Sequence, residues 1–110
     1  MDEKRLLSAN PALELFRGCI PYFEVLADEN RQRLVLALAE GHETLNVGAL
    51  TDRVSLSRPA VSHHLKVLLQ AGVVGLTKKG TESYYFLTVE AMVGKLKAFV
   101  VTAEQTCGRR

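Results

Sequence analysis

A chain of 110 residues, 47% hydrophobic and 24% charged, has the size and composition of one folded domain, not of a disordered segment. No apolar run approaches the ~20 residues that a membrane-spanning helix needs. The net charge is only +2, but it is unevenly placed. Residues 51–80 carry five basic residues (Arg53, Arg58, Lys66, Lys78 and Lys79) against one acid, Asp52, whereas the remainder carries nine basic and eleven acidic residues. A local basic patch of this kind is the footprint of a polyanion partner. The opening segment, Met1 to Ser8, lacks an apolar signal core and a cleavage site, which points to the cytoplasm. A core this small favours a dimer that shares apolar helices.

Residues 1–9 are polar and read as a loose tip. Asn10-Pro11 is an N-cap followed by the preferred first-position proline, and a helix follows through Ala12, Leu13, Leu15 and Phe16. Gly18 and Pro21 predict a break or kink near Cys19-Ile20, before the chain turns helical again from Tyr22 to Leu26. Asp28 is the next N-cap, with Glu29 suited to the positive end of the helix dipole. Leu34, Val35, Leu38 and Ala39 form one apolar stripe of that helix, and Gly41 ends it. His42 and Glu43 are turn residues. Asn46 then caps a short third helix carrying Val47, Leu50 and Val54.

The segment from Ser57 to Gly72 is marked at both ends: Ser57 as N-cap, Pro59 in the first turn, and Gly72 where a left-handed residue is wanted. Val61, Leu65, Leu68 and Leu69 follow the spacing of one buried stripe. At about 100° per residue, Pro59, Ser62, His63 and Lys66 point the other way, and Arg58 reaches outward from the N-terminal end. That face carries donors and cations and no acid, which suits entry into a DNA major groove. The competing reading is an ordinary solvated face, although such faces usually mix both signs. With the third helix and the tight Ser55-Leu56 connection, the pair has the layout of a helix-turn-helix. Arg53, on the exposed side of its first helix, suits a phosphate contact as well as it suits bulk solvent.

After Gly72 the pattern becomes β. Val73 to Thr77 and Ser83 to Leu87 read as two strands joined by the polar turn Lys78 to Glu82, giving a two-stranded hairpin with a basic tip. Thr88 is the expected cap of a last helix, along which Met92, Val93, Leu96, Phe99, Val100 and Ala103 are apolar. Two placements fit that helix: an internal core position, or pairing with the first helix across a two-fold interface spanning about residues 10–26 and 88–106. The fold class is therefore mainly α, a winged helix-turn-helix of about five helices and one hairpin, in a single domain over 1–110.

The sequence resembles the ArsR/SmtB family of winged-helix repressors. The resemblance rests on Leu26-Ala27-Asp28-Glu29-Asn30-Arg31-Gln32-Arg33-Leu34, on Leu56 to Leu68 with its Ser-Arg-Pro-Ala-Val-Ser-His-His-Leu-Lys core, on Ala71-Gly72-Val73-Val74, and on Lys79-Gly80 through Tyr84-Tyr85-Phe86-Leu87. It implies a homodimer that binds a palindromic DNA operator and represses transcription. Carried onto this chain, it marks Arg58, Ser62 and His63 as base readers, and Ser57, Lys66, Lys78 and Lys79 as phosphate or wing contacts. His64 matches a common histidine of the family and is assigned to packing or a phosphate hydrogen bond.

The chain also departs from the family. Where many relatives carry Cys-x-Cys, it reads Leu45-Asn46-Val47-Gly48-Ala49-Leu50, and Thr88 to Thr106 contains no His or Asp. Zinc and softer metals prefer thiolate and imidazole, so neither a metal site nor any other cofactor is expected. Cys19 and Cys107 form no CxxC and no Cys/His cluster. They are either a thiol switch between the first and last helices or two unconnected cysteines. No nucleophile-base pairing, phosphate-cradling glycine loop or paired carboxylate suggests an enzyme. A protein-interaction module of the same fold is the competing function.

Overall fold

The computed structural model describes residues 10–41 and 44–106. Among them are five helices and three strands in the order α1 (Pro11–Leu26), α2 (Glu29–Gly41), β1 (Leu45–Asn46), α3 (Val47–Arg53), α4 (Arg58–Gln70), β2 (Val74–Lys79), β3 (Glu82–Leu87) and α5 (Glu90–Thr106).

The helix starts are made by short polar side chains. Asn10 Oδ1 accepts from the backbone N–H groups of Ala12 and Leu13 at 3.1 and 3.3 Å. Asp28 Oδ1 accepts from Asn30 and Arg31 at 2.8 and 3.1 Å. Asn46 accepts from Ala49 at 2.8 Å, and Ser57 from Ala60 at 3.3 Å. Each bond satisfies a donor that the helix itself leaves free. The far end of α4 closes with Gly72 at φ +79°. The Val73 N–H there donates to the Leu68 carbonyl at 3.0 Å, and the Gly72 N–H to Leu69 at 3.1 Å. This paired closure is available to a residue with no Cβ penalty in the left-handed region.

The expected break near Cys19-Ile20 is absent: α1 runs unbroken through Gly18 and Pro21. Pro21 points to solvent, whereas Cys19 and Tyr22 on the other side of the helix are buried. Packing of that side holds the helix across the backbone bond that Pro21 cannot make. Thr88 does not act as the expected cap either. Its hydroxyl donates to the Gly72 carbonyl at 2.9 Å, tying the approach to α5 to the end of α4.

The hairpin has one more strand beside it than expected. β1 pairs antiparallel with β3 (Leu45 opposite Tyr85, Asn46 opposite Tyr84), so the sheet order is β1-β3-β2. Two residues are too few to show a period of two. Lys79 pairs with Glu82, which shrinks the turn to Gly80-Thr81 and places Lys78 and Lys79 within β2. Gly80 takes φ +64°, as a two-residue hairpin loop requires.

One core lies under α4. Val61, Leu65 and Leu68 are fully buried with Leu34, Leu50 and Val73. α5 contributes no buried residue and instead lies along α1, with the rings of Phe16 and Phe99 5.3 Å apart. The molecule is long, 52 × 26 × 25 Å with a radius of gyration of 17.2 Å, where a compact domain of this length would have about 13 Å.

Leu65→Ala is expected to lower the unfolding free energy by about 2–5 kcal/mol, because it opens a cavity in the core. Leu36→Ala, at a side chain 58% exposed, is expected to change it by no more than about 0.5 kcal/mol. Urea denaturation of both variants checks the pair.

Candidate nucleic-acid interface

The buried stripe of α4 sets the direction of its other face. With Val61, Leu65 and Leu68 turned inward, Arg58, Pro59, Ser62, His63 and Lys66 are all exposed. The first turn of α4 holds no acid. The helix dipole and free N–H groups there reinforce the positive character of Arg58.

A cleft of about 250 Å³ separates this face from the wing. It is lined by Arg58 and Ser62 of α4, Asn46 and Val47 at the start of α3, and Thr81, Glu82 and Ser83 of the hairpin. Two of the three expected base readers therefore share a cleft, while His63 is exposed further along the helix. Lys78 and Lys79 are exposed on the wing, and Lys79 Nζ sits 5.5 Å from the centre of the Tyr84 ring.

Glu82 and Asn46 belong to this cleft although the sequence reading did not assign them there. Glu82 Oε2 accepts from the Tyr84 hydroxyl at 3.0 Å and from Asn46 Nδ2 at 3.3 Å. The hydrogen bond to Glu82, with the charge of that carboxylate, raises the Tyr84 pKa. Asn46 and Glu82 are 36 residues apart, and only the β1–β3 pairing brings them together. No local signal in the sequence links them. The acid-poor window ending at residue 80 stops just short of the carboxylate.

The other expected contact residues are distributed. Ser57 is exposed, its oxygen engaged by the Ala60 N–H. Arg53 is exposed but lines a different groove, with Arg33, Leu36, Ala37 and Glu40. His64 is half-buried, and its Nδ1 lies 3.3 Å from Nη1 of Arg31. Cys19 is a free, fully buried thiol, whereas Cys107 lies outside the described residues, as do His42 and Glu43. Among the described residues, no three His, Cys, Asp or Glu side chains are grouped to hold a metal ion, and no helix is long and apolar enough to cross a membrane.

Residues 28–75 match the family described as bacterial regulatory protein, arsR family. The arsenical resistance operon repressor of Bacillus subtilis (strain 168) is 36% identical over 83 residues, spanning 76% of this chain and 78% of that protein. This chain belongs to the ArsR family. The transcriptional repressor SdpR of the same organism is 31% identical over 70 residues, covering 64% of this chain and 76% of the relative. Among solved structures, an ArsR-like transcriptional regulator from Rhodococcus sp. RHA1 superposes with a TM-score of 0.62 at 27% identity, covering 82% of this chain and 79% of that one. The protein is thus a winged-helix, DNA-binding transcriptional repressor of the ArsR family, a non-enzymatic role.

The Asp28 cap generates a pH prediction. The Arg31 backbone N–H, helped by the Arg31 charge and the Asn30 N–H, holds the Asp28 carboxyl below the usual aspartate range, against a smaller opposing effect of burial. A carboxyl lowered on folding contributes stability that is complete above its unfolded pKa and is lost as pH falls through the lowered folded value. Asp28→Asn keeps a capping oxygen but removes the titration. Urea midpoints followed downward through the carboxylate range are expected to fall less steeply in this variant than in the unmodified protein.

Proposed function

We propose that two copies of this chain pair through α1 and α5 into a cytoplasmic homodimer that represses transcription from a palindromic operator. The observation that carries the reading is the acid-free exposed face of α4, backed by a fully buried stripe and flanked by the lysines of the wing. Arg58, Ser62 and His63 read base edges in the major groove. Ser57, His64 and Lys66, with Arg53 at the edge of the surface, contact phosphates, and Lys78 and Lys79 do so from the wing. This division follows the chemistry of the two targets: base edges need directed donors, and phosphates need charge.

The dimer reading draws on the outer face of α5. Val93, Leu96, Val100 and Val101 line an apolar hollow of about 300 Å³ there, with Lys97 at its side. Val100 and Val101 are 51% and 50% exposed, and Phe16 and Phe23 of α1 are also open to solvent. Exposed apolar side chains on both helices of the pair suit a self-complementary two-fold contact. The reading includes no metal sensor at the two usual family positions, because Leu45 to Leu50 offers no thiol and α5 no imidazole.

Selection of genomic fragments by the purified protein, followed by binding to the recovered operator, tests the reading. Arg58→Ala is expected to cost about 1–3 kcal/mol and to relax base preference at one position per half-site. Lys79→Ala is expected to weaken binding to all sequences alike and to reduce the salt slope by about one. Recovery of no fragment above background would instead favour the protein-interaction module. Val100→Glu is expected to shift the protein to monomers in sedimentation, while Leu36→Glu on α2 leaves the dimer intact. Unchanged dimers with Val100→Glu would refute the α5 interface.

A further inference from the structure

Arg31 lies in the first turn of α2 and is half-buried. Its Nε donates to the Val25 carbonyl in the last turn of α1 at 2.6 Å. Its backbone N–H donates to the Asp28 cap at 3.1 Å. Its Nη1 meets Nδ1 of His64, in the middle of α4, at 3.3 Å. One side chain thus touches the end of the helix assigned to the dimer contact and the flank of the helix assigned to DNA.

We propose that Arg31 is a positioning residue that fixes the tautomer and orientation of His64, so that His64 donates its Nε2–H to a DNA phosphate. The inference rests on the DNA reading of α4 given above and adds to it a residue outside the helix-turn-helix.

A guanidinium only donates, and it stays protonated in a protein. Its approach to Nδ1 is therefore favourable only when Nδ1 presents a lone pair. That condition selects the neutral imidazole with its hydrogen on Nε2, because the partner of one ring nitrogen decides the state of the other. A ring carrying hydrogen on Nδ1 would set N–H against N–H at this contact. The Val25 carbonyl holds the guanidinium through Nε, leaving Nη1 to face the ring. The hydrogen left on Nε2 belongs to a half-exposed ring on α4, whose centre is 5.6 Å from that of the exposed His63. A neutral N–H donor there matches a phosphate oxygen, which sets the register of a reading helix without reading sequence.

The test begins on the DNA-free protein with histidine ring nitrogens labelled with ¹⁵N. At a pH where the imidazoles are neutral, His64 is expected to show an unprotonated Nδ1 and a protonated Nε2, and Arg31→Met is expected to return it to a mixture of tautomers. A wild-type His64 carrying its hydrogen on Nδ1 overturns the proposal without any variant having to fold.

Operator binding supplies the second arm. Arg31→Met is expected to weaken binding about tenfold, equally for matched and mismatched operators. The same substitution made in a His64→Ala background is expected to cost nothing further. An equal loss in both backgrounds would mean that Arg31 acts without His64, and would overturn the proposal. Wild-type protein that binds no DNA fails in the first lane of this arm. That result overturns the phosphate role together with the DNA reading, and it is told apart from failure of the Arg31–His64 contact by the spectrum of the free protein.

Discussion

Burial of one side of α4 is the constraint on which the rest depends. Val61, Leu65 and Leu68 are sealed against Leu34, Leu50 and Val73. A helix has one rotational setting that buries a stripe of this spacing, and that setting decides which residues face outward. Arg58, Ser62 and His63 are therefore presented by hydrophobic packing and not by polar contacts of their own. The surrounding elements serve the same end. α3 supplies Leu50 from one side, and the wing is fastened to the start of α3 through β1.

The molecule divides its work between two regions. The head, built on α2, α3, α4 and the sheet and closed by Tyr22 of α1, holds the hydrophobic core and the basic face. The α1–α5 pair holds aromatic contacts of its own, Phe16 with Phe23 and with Phe99, and leaves valines uncovered. Tyr22 of α1 completes the core of the head and Met92 of α5 packs against it, whereas the rest of the helix pair leaves apolar side chains exposed. Glu82 adds an electrostatic detail to the head. A carboxylate held by Tyr84 and Asn46 beside Arg58 limits how uniformly positive the cleft is. Acids in such positions repel phosphates and accept from base donors, so they shape selectivity more than affinity.

Much of this was legible in the sequence, for identifiable reasons. Caps are local, and Asn10, Asp28, Asn46 and Ser57 each act on backbone two or three residues away. The stripe of α4 is also local, since periodicity alone reveals it. What escaped the reading is governed by contacts distant in the chain. Pro21 looked like a break or kink because its cost is visible locally, whereas the packing that keeps α1 one helix comes from α5 and, through Tyr22, from the core. Thr88 looked like a cap because its better partner, the Gly72 carbonyl, is sixteen residues back. The Asn46–Glu82 and Arg31–His64 contacts join residues 36 and 33 positions apart, and nothing in either neighbourhood announces them. The site was thus readable as a list of outward-facing side chains, but not as a set of contacts.

The Thr88 hydrogen bonds have a mechanical consequence. The Thr88 hydroxyl holds the Gly72 carbonyl and its N–H holds that of Val73, so the root of α5 grips the rear of α4. Arg31, on α2 and bonded to the last turn of α1, meets α4 near its midpoint. The helix pair is thus fastened to α4 at two points separated along its length, so a displacement of α1 relative to α5 would load those points unequally, whereas a displacement of both together would load them alike.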